Sequence, residues 1–124
     1  MSPDDFMRRY EAATAAHDLE ATLALIADDA IFLFSNESSH VGKGAIREVL
    51  EANFAAIEAE DYRIEGLRWL LRTEDAALGV YTYHWAGRIR GERASGGGRG
   101  TCALRRVGVD WRVVHEHLSR GSLA

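Results

Sequence analysis

The sequence predicts an α+β protein whose helices gather on one face of an antiparallel sheet. Two observations carry this. Apolar residues recur at helical spacing through most of the first half, and from Tyr62 onward the period shortens toward two. The late apolar stretches are separated by short polar or glycine-bearing turns, as in a meander of strands. No repeat divides the chain, so one domain spanning residues 1–124 is expected.

The first helix is expected from Pro3 to Ala16. Pro3 suits a first helical turn, Ser2 stands where a cap is needed, and Asp4 and Asp5 suit the positive end of the helix dipole. Phe6, Met7, Tyr10, Ala13 and Ala16 then form an inward stripe, so the Tyr10 hydroxyl needs a partner inside. Asp18 can cap a short second helix in which Leu19, Leu23 and Ile26 share a face. Asp28 and Asp29 end it and are assigned to turn and capping chemistry rather than to an acid/base pair. Ala30 to Phe34 is a first strand, and Ser35 to Gly44, rich in serine, asparagine and glycine, is a loop. No nucleophile-elbow pattern surrounds Ser35, Ser38 or Ser39 beside His40. Ile46, Val49, Leu50, Phe54 and Ile57 define a third helix from about Gly44 to Ala59.

Four β-rich stretches follow, Tyr62–Arg72, Ala76–Arg90, Arg99–Val107 and Trp111–Ser119, read as an antiparallel meander. The apolar phase shifts across Gly66, as an inserted bulge residue would make it do. Gly91 to Gly98, with four glycines, reads as a flexible hairpin loop, and no helix follows that would make it a phosphate-binding loop. Tyr81, Tyr83 and Trp85 share one face, with His84 on the other, a pattern of sheet core or subunit interface. On the last stretch, period two puts Trp111, Val113, His115, His117 and Ser119 on one face and Arg112, Val114, Glu116 and Leu118 on the other.

Composition narrows the function classes. With 47% apolar and 27% charged residues the chain has an ordinary globular balance, and a net charge of −4 argues against a nucleic-acid partner. The basic residues are spread out, with a local excess only from Arg88 to Arg106. No window approaches the roughly 18 apolar residues of a membrane span, and Met1 to Tyr10 carries Asp4, Asp5, Arg8 and Arg9 in place of a secretory apolar core. A cytoplasmic protein without a membrane partner is expected. The single cysteine, Cys102, excludes an intrachain disulfide and is read as a small buried strand residue.

Arg9-Tyr10, His17-Asp18-Leu19, Ala24-Leu25, Ala27-Asp28-Asp29-Ala30 and Gly42-Lys43-Gly44-Ala45-Ile46-Arg47 resemble the amino-terminal half of ketosteroid-isomerase-like and SnoaL-like proteins of the nuclear transport factor 2-like superfamily. Arg99-Gly100-Thr101 and Trp111-Arg112-Val113-Val114-His115-Glu116-His117-Leu118-Ser119 extend the likeness to the carboxyl-terminal half. The last string is similar to the closing strand of the calcium/calmodulin-dependent protein kinase association domain. The resemblance implies a cone-shaped, curved antiparallel sheet wrapped around about three helices, a pocket between helices and sheet, and a homodimer paired through the sheet face turned away from the helices.

Function is less legible, because such a fold hosts isomerases, dehydratases, cyclases, carriers and assembly domains. Tyr10 matches the tyrosine of ketosteroid isomerases, but the general-base position falls at Phe34, and the acid position falls near Thr101. Both departures argue against steroid isomerase chemistry. The pocket is expected to be lined in part by Tyr10, Phe34, Arg99, His115 and His117 and to hold a small-molecule ligand. In the enzyme reading His117 or His115 is the base for a carbonyl-bearing or cyclic metabolite, and Tyr10 or Arg99 stabilises developing negative charge. The alternative is a non-catalytic association module with a vestigial pocket. No motif calls for a cofactor, and the two histidines lack a third ligand for a metal.

Overall fold

Capping sets the first turns of the chain. In the computed structural model, which describes residues 1–123, Ser2 Oγ accepts from the Asp5 N–H at 3.1 Å and opens α1 (Pro3–Ala15). Asp18 Oδ1 accepts from the Ala21 N–H at 3.0 Å and opens α2 (Leu19–Ala24). The order continues as β1 (Ile26–Leu33), β2 (Ser39–Val41), α3 (Lys43–Ala56), β3 (Glu58–Arg72), β4 (Ala76–Ile89), β5 (Glu92–Val107) and β6 (Asp110–Ser119).

The strands form one curved, unclosed sheet in the order β2-β1-β6-β5-β4-β3, with β3 to β6 an antiparallel meander and β1 parallel to β6. The helices lie on its concave side, giving the cone expected of an α+β chain of this kind. Phe6, Met7 and Tyr10 from α1 meet Ile26, Phe32, Tyr81, Leu104, Trp111 and Val113 from the sheet. Burying each large apolar side chain contributes roughly 1.5–3 kcal/mol. Cys102 is fully buried, with its Sγ beside Met7 Sδ at 3.9 Å.

The phase shift across Gly66 is a bulge. Gly66 has φ +65°, and the β3–β4 register gains one residue on β3 between Glu65 and Arg68. Strand boundaries depart from the sequence reading in the first half. Ile26 opens β1 instead of closing a helix, since it pairs with Val113 and is fully buried. Asp28 and Asp29 therefore lie within β1, exposed, where they pair with Lys43 and Arg105. Ser39 to Val41, inside the expected loop, pairs with β1 as β2.

The larger correction concerns the glycine run. Arg90 (φ +54°) and Gly91 (φ +80°) make a two-residue hairpin turn, the left-handed pair that matches strand twist. Everything after it is strand, so Gly96, Gly98 and Gly100 pair directly with Trp85, Tyr83 and Tyr81. A Cβ on Gly96 would lie 2.6 Å from Trp85 Nε1, and one on Gly100 2.5 Å from Tyr81 Cε2. The glycines are the bed on which three rings of β4 lie, a role that composition could not distinguish from a flexible loop.

Candidate functional site

Between the helices and the concave face of the sheet lies a cavity of about 360 Å³. Helix α1 contributes Tyr10 and Thr14, and Phe34 enters from the residue just after β1. Helix α3 adds Leu50, Asn53 and Phe54, and the sheet closes it with Glu60, Tyr62, Tyr83, Trp85, Glu116 and Leu118. The lining is chiefly apolar and aromatic with a few convergent polar groups, which is the composition of a small-molecule site.

Glu116 places a buried carboxyl on the wall of this cavity. It is 4% exposed, and the Tyr10 hydroxyl donates to its Oε2 at 2.8 Å. Burial pushes the Glu116 carboxyl up to about 7, against the downward pull of the Tyr10 and Tyr81 hydroxyls. The Tyr81 hydroxyl lies nearby, buried and without a hydrogen-bond partner among the described residues. Burial also holds the Tyr10, Tyr62 and Tyr81 phenols well above their ordinary value, so they remain neutral donors. A carboxyl poised near neutrality can give or take a proton, and the cavity-lining Tyr10 and Tyr62 can hold an oxygen in place.

The structure divides the residues expected from sequence into two groups. Tyr10 and Phe34 line the cavity. His115, His117 and Arg99 stand on the convex face: His115 Nδ1 donates to the Ile31 carbonyl at 2.7 Å, His117 borders open surface grooves, and Arg99 Nε donates to Ser119 Oγ at 3.0 Å. The expected sharing of one face by Trp111, Val113, His115 and His117 does not hold. Ala103 pairs with His115 but Leu104 with Val113, so Val114 is an extra, bulged residue. Trp111 and Val113 point inward before the bulge, and Glu116 and Leu118 after it.

Sequence reasoning missed Glu116 because one bulge inverts every later side chain. The signal was present in the adjacent Val113-Val114, two apolar residues in succession where strict alternation allows one. Glu60, at the start of β3, was missed because the strand begins before Tyr62. Among the described residues no group of three or more histidine, cysteine, aspartate or glutamate side chains is arranged to hold a metal, and no helix is long and apolar enough to cross a membrane.

Solved structures share this architecture. A Novosphingobium aromaticivorans protein with the provisional name aromatic ring hydroxylase superposes with a TM-score of 0.86 at 22% identity, covering 96% of this chain and 86% of its own. A nuclear transport factor 2-like superfamily protein from Salmonella enterica gives 0.84 at 16% identity, with 97% and 89% coverage. A Thiobacillus denitrificans protein, provisionally named a calcium/calmodulin-dependent protein kinase type II association domain, gives 0.83 at 18% identity, with 98% and 96% coverage. These identities establish the fold alone. A search of curated proteins returned no match. The SnoaL-like domain profile matches residues 4–122, and with the cone-shaped sheet and its cavity this places the chain in the SnoaL-like family of the nuclear transport factor 2-like superfamily.

Proposed function

We propose that the chain binds a small carbonyl-bearing or cyclic metabolite in its cavity and transfers a proton to it from Glu116. The observation that carries this reading is a carboxyl 4% exposed, held by a neutral tyrosine and raised to about 7, on the wall of an aromatic cavity. A carboxyl half-protonated near neutral pH is matched to general acid/base work, which contributes roughly 10²–10⁴-fold to a rate. Tyr10 keeps the carboxyl oriented. A protonated Glu116 donates to a ligand oxygen as negative charge develops there.

The test uses a cyclic ketone, 2-tetralone, in D₂O, with replacement of its α-hydrogens followed by NMR. The wild-type protein should accelerate exchange, and Glu116→Gln, which keeps the shape but cannot surrender the proton, should lose about 100-fold or more of that acceleration. Exchange by Glu116→Gln at the wild-type rate would sink the proposal. His117→Ala, on the convex face, should exchange as the wild type does.

A second reading, self-association, is favoured by the convex face. There Leu78, Ala103 and His115 lie in one cross-strand row and Val80, Thr101 and His117 in the next. Most are half-buried, and no other described element covers them. We infer that a second copy of the chain docks on this stripe, forming a homodimer with both cavities facing outward. Val80→Arg should halve the mass seen in solution scattering at micromolar concentration. A wild-type monomer under those conditions would contradict the assignment.

A further inference from the structure

The cavity wall holds a second carboxylate. The Glu60 side chain is 8% exposed, and a buried charge of this kind is tolerated only when paired. Its Oε1 shares a 2.6 Å hydrogen bond with His17 Nε2. The His17 ring in turn stacks flat on Phe54, a cavity residue, with centroids 4.5 Å apart and planes within 9°.

The backbone is bent out of its ordinary range on both sides of this contact. His17 has φ +55° and occupies the position just past the end of α1, where the Asp18 N–H reaches the Ala13 carbonyl at 3.1 Å and the His17 N–H reaches that of Thr14 at 3.0 Å. Glycine is the usual occupant of that position. Ala59, immediately before Glu60, has φ +52°, and the β3–β4 register slips there between Glu58 and Asp61. Gly87 permits the slip, since a Cβ on it would fall 2.8 Å from the Glu58 carbonyl oxygen and 3.3 Å from Glu60 Cα.

Four non-glycine residues adopt left-handed φ among the described residues. Arg90 shapes a hairpin and Glu37 a loop, which leaves His17 and Ala59. Each such residue is strained and persists only where its surroundings enforce it. Here both distortions aim two side chains at one another across 43 positions of chain. Tyr62, two residues beyond Glu60, also lines the cavity, and after burial the two influences that raise its phenol most are Glu116 and then Glu60, as for a group set between two carboxylates.

We propose that Glu60 is a second catalytic residue of the cavity, the base that removes a proton from carbon while Glu116 supplies one to oxygen, with His17 as its positioning residue. The proposal rests on the acid/base reading of the cavity given above. With a cyclic ketone bound, the Glu60 carboxylate takes the hydrogen next to the carbonyl as a proton. The C–H pair becomes the new C=C bond, the C=O π pair forms the O–H bond with the proton of Glu116, and the product is the enol. The reverse step with deuterons restores a labelled ketone, and no oxidant or reductant is needed. Besides His17, the titratable groups that line the cavity together with Glu60 are Tyr10, Tyr62, Tyr83 and Glu116.

The experiment compares wild type, Glu60→Gln, His17→Gly and Glu116→Gln in 2-tetralone exchange, in binding of 2-naphthol, and in the NMR signal of the His17 ring. Glu60→Gln should exchange about 100-fold more slowly with unchanged 2-naphthol affinity. His17→Gly should slow exchange about tenfold and move the pH of half-maximal rate, whatever balance its Tm strikes between a relaxed left-handed backbone and an unpaired Glu60. Wild-type exchange in Glu60→Gln, with Glu116→Gln inactive, overturns this proposal alone. A lower Tm in His17→Gly with an unaltered rate and pH profile makes His17 merely structural and overturns its role. If wild type itself exchanges nothing, the parent reading fails, and a His17 signal unmoved by 2-naphthol then overturns the dyad as well.

Discussion

The Tyr10 hydroxyl donates a 2.8 Å hydrogen bond to Glu116 Oε2, joining the first helix to the last strand across 106 positions of sequence. Both groups are buried, so each removes a desolvation penalty from the other. The contact ties the wall of the cavity to its chemistry.

Glu116 makes stability depend on pH in a stated direction. Its carboxyl is raised from 4.5 to about 7 in the folded chain, so the folded state holds a proton that the unfolded state releases between those values. Its contribution is therefore complete below pH 4.5 and lost as pH rises through 7, amounting to about 3 kcal/mol in all. Urea unfolding should show Glu116→Gln equal to wild type near pH 4.5 and more stable at pH 8. A wild-type advantage at pH 8 would refute the assignment.

Tyr10→Phe removes the donor that favours ionised Glu116. The carboxyl should titrate higher than in wild type, read from the pH dependence of its ¹³C side-chain signal. The loss of stability should be about 1–3 kcal/mol, and greater at pH 8 than at pH 5, because a charged partner is then left unpaired.

The glycine bed beneath the aromatic wall should tolerate no side chain. A Cβ at Gly98 would stand 2.1 Å from the Ser119 carbonyl oxygen, a backbone atom that no rotamer change can move. Gly98→Ala should lower stability by about 2 kcal/mol or more. Gly44→Ala, in α3 with nothing near its added methyl, should raise it by roughly 0.5–1 kcal/mol. Thermal melts of the two variants give the comparison.

Thr14 separates stability from binding. Its Oγ1 is buried beside the cavity without a partner among the described residues. Thr14→Val should stabilise the empty protein by about 1 kcal/mol and weaken 2-naphthol, whose hydroxyl would use that oxygen. Calorimetry and melting on the same samples measure both, and tighter binding by Thr14→Val would count against a polar contact there.

Much of the architecture was legible because it is written in local chemistry. Ser2 and Asp18 cap the helices they were expected to cap, Tyr10 falls on the inward stripe, and Gly66 carries its bulge. The glycine run misled because flexibility is a property of unpaired chain, and its pairing to Tyr81, Tyr83 and Trp85 is set by the Arg90-Gly91 turn. Of the cavity lining, Tyr10 and Phe34 were legible from spacing and resemblance. Glu116 was not, since the Val114 bulge reverses the alternation that spacing relies on.

The sequence by itself determined an α+β chain, its helices, its meander and its likeness to the SnoaL-like family, since caps, turns and periodicities act over a few residues. Only the tertiary structure decided which of Glu116 and His117 faces the cavity, and that Glu60 meets His17. Those outcomes depend on strand register and on two left-handed backbone positions, which are settled by what packs across the sheet and not by neighbours along the chain.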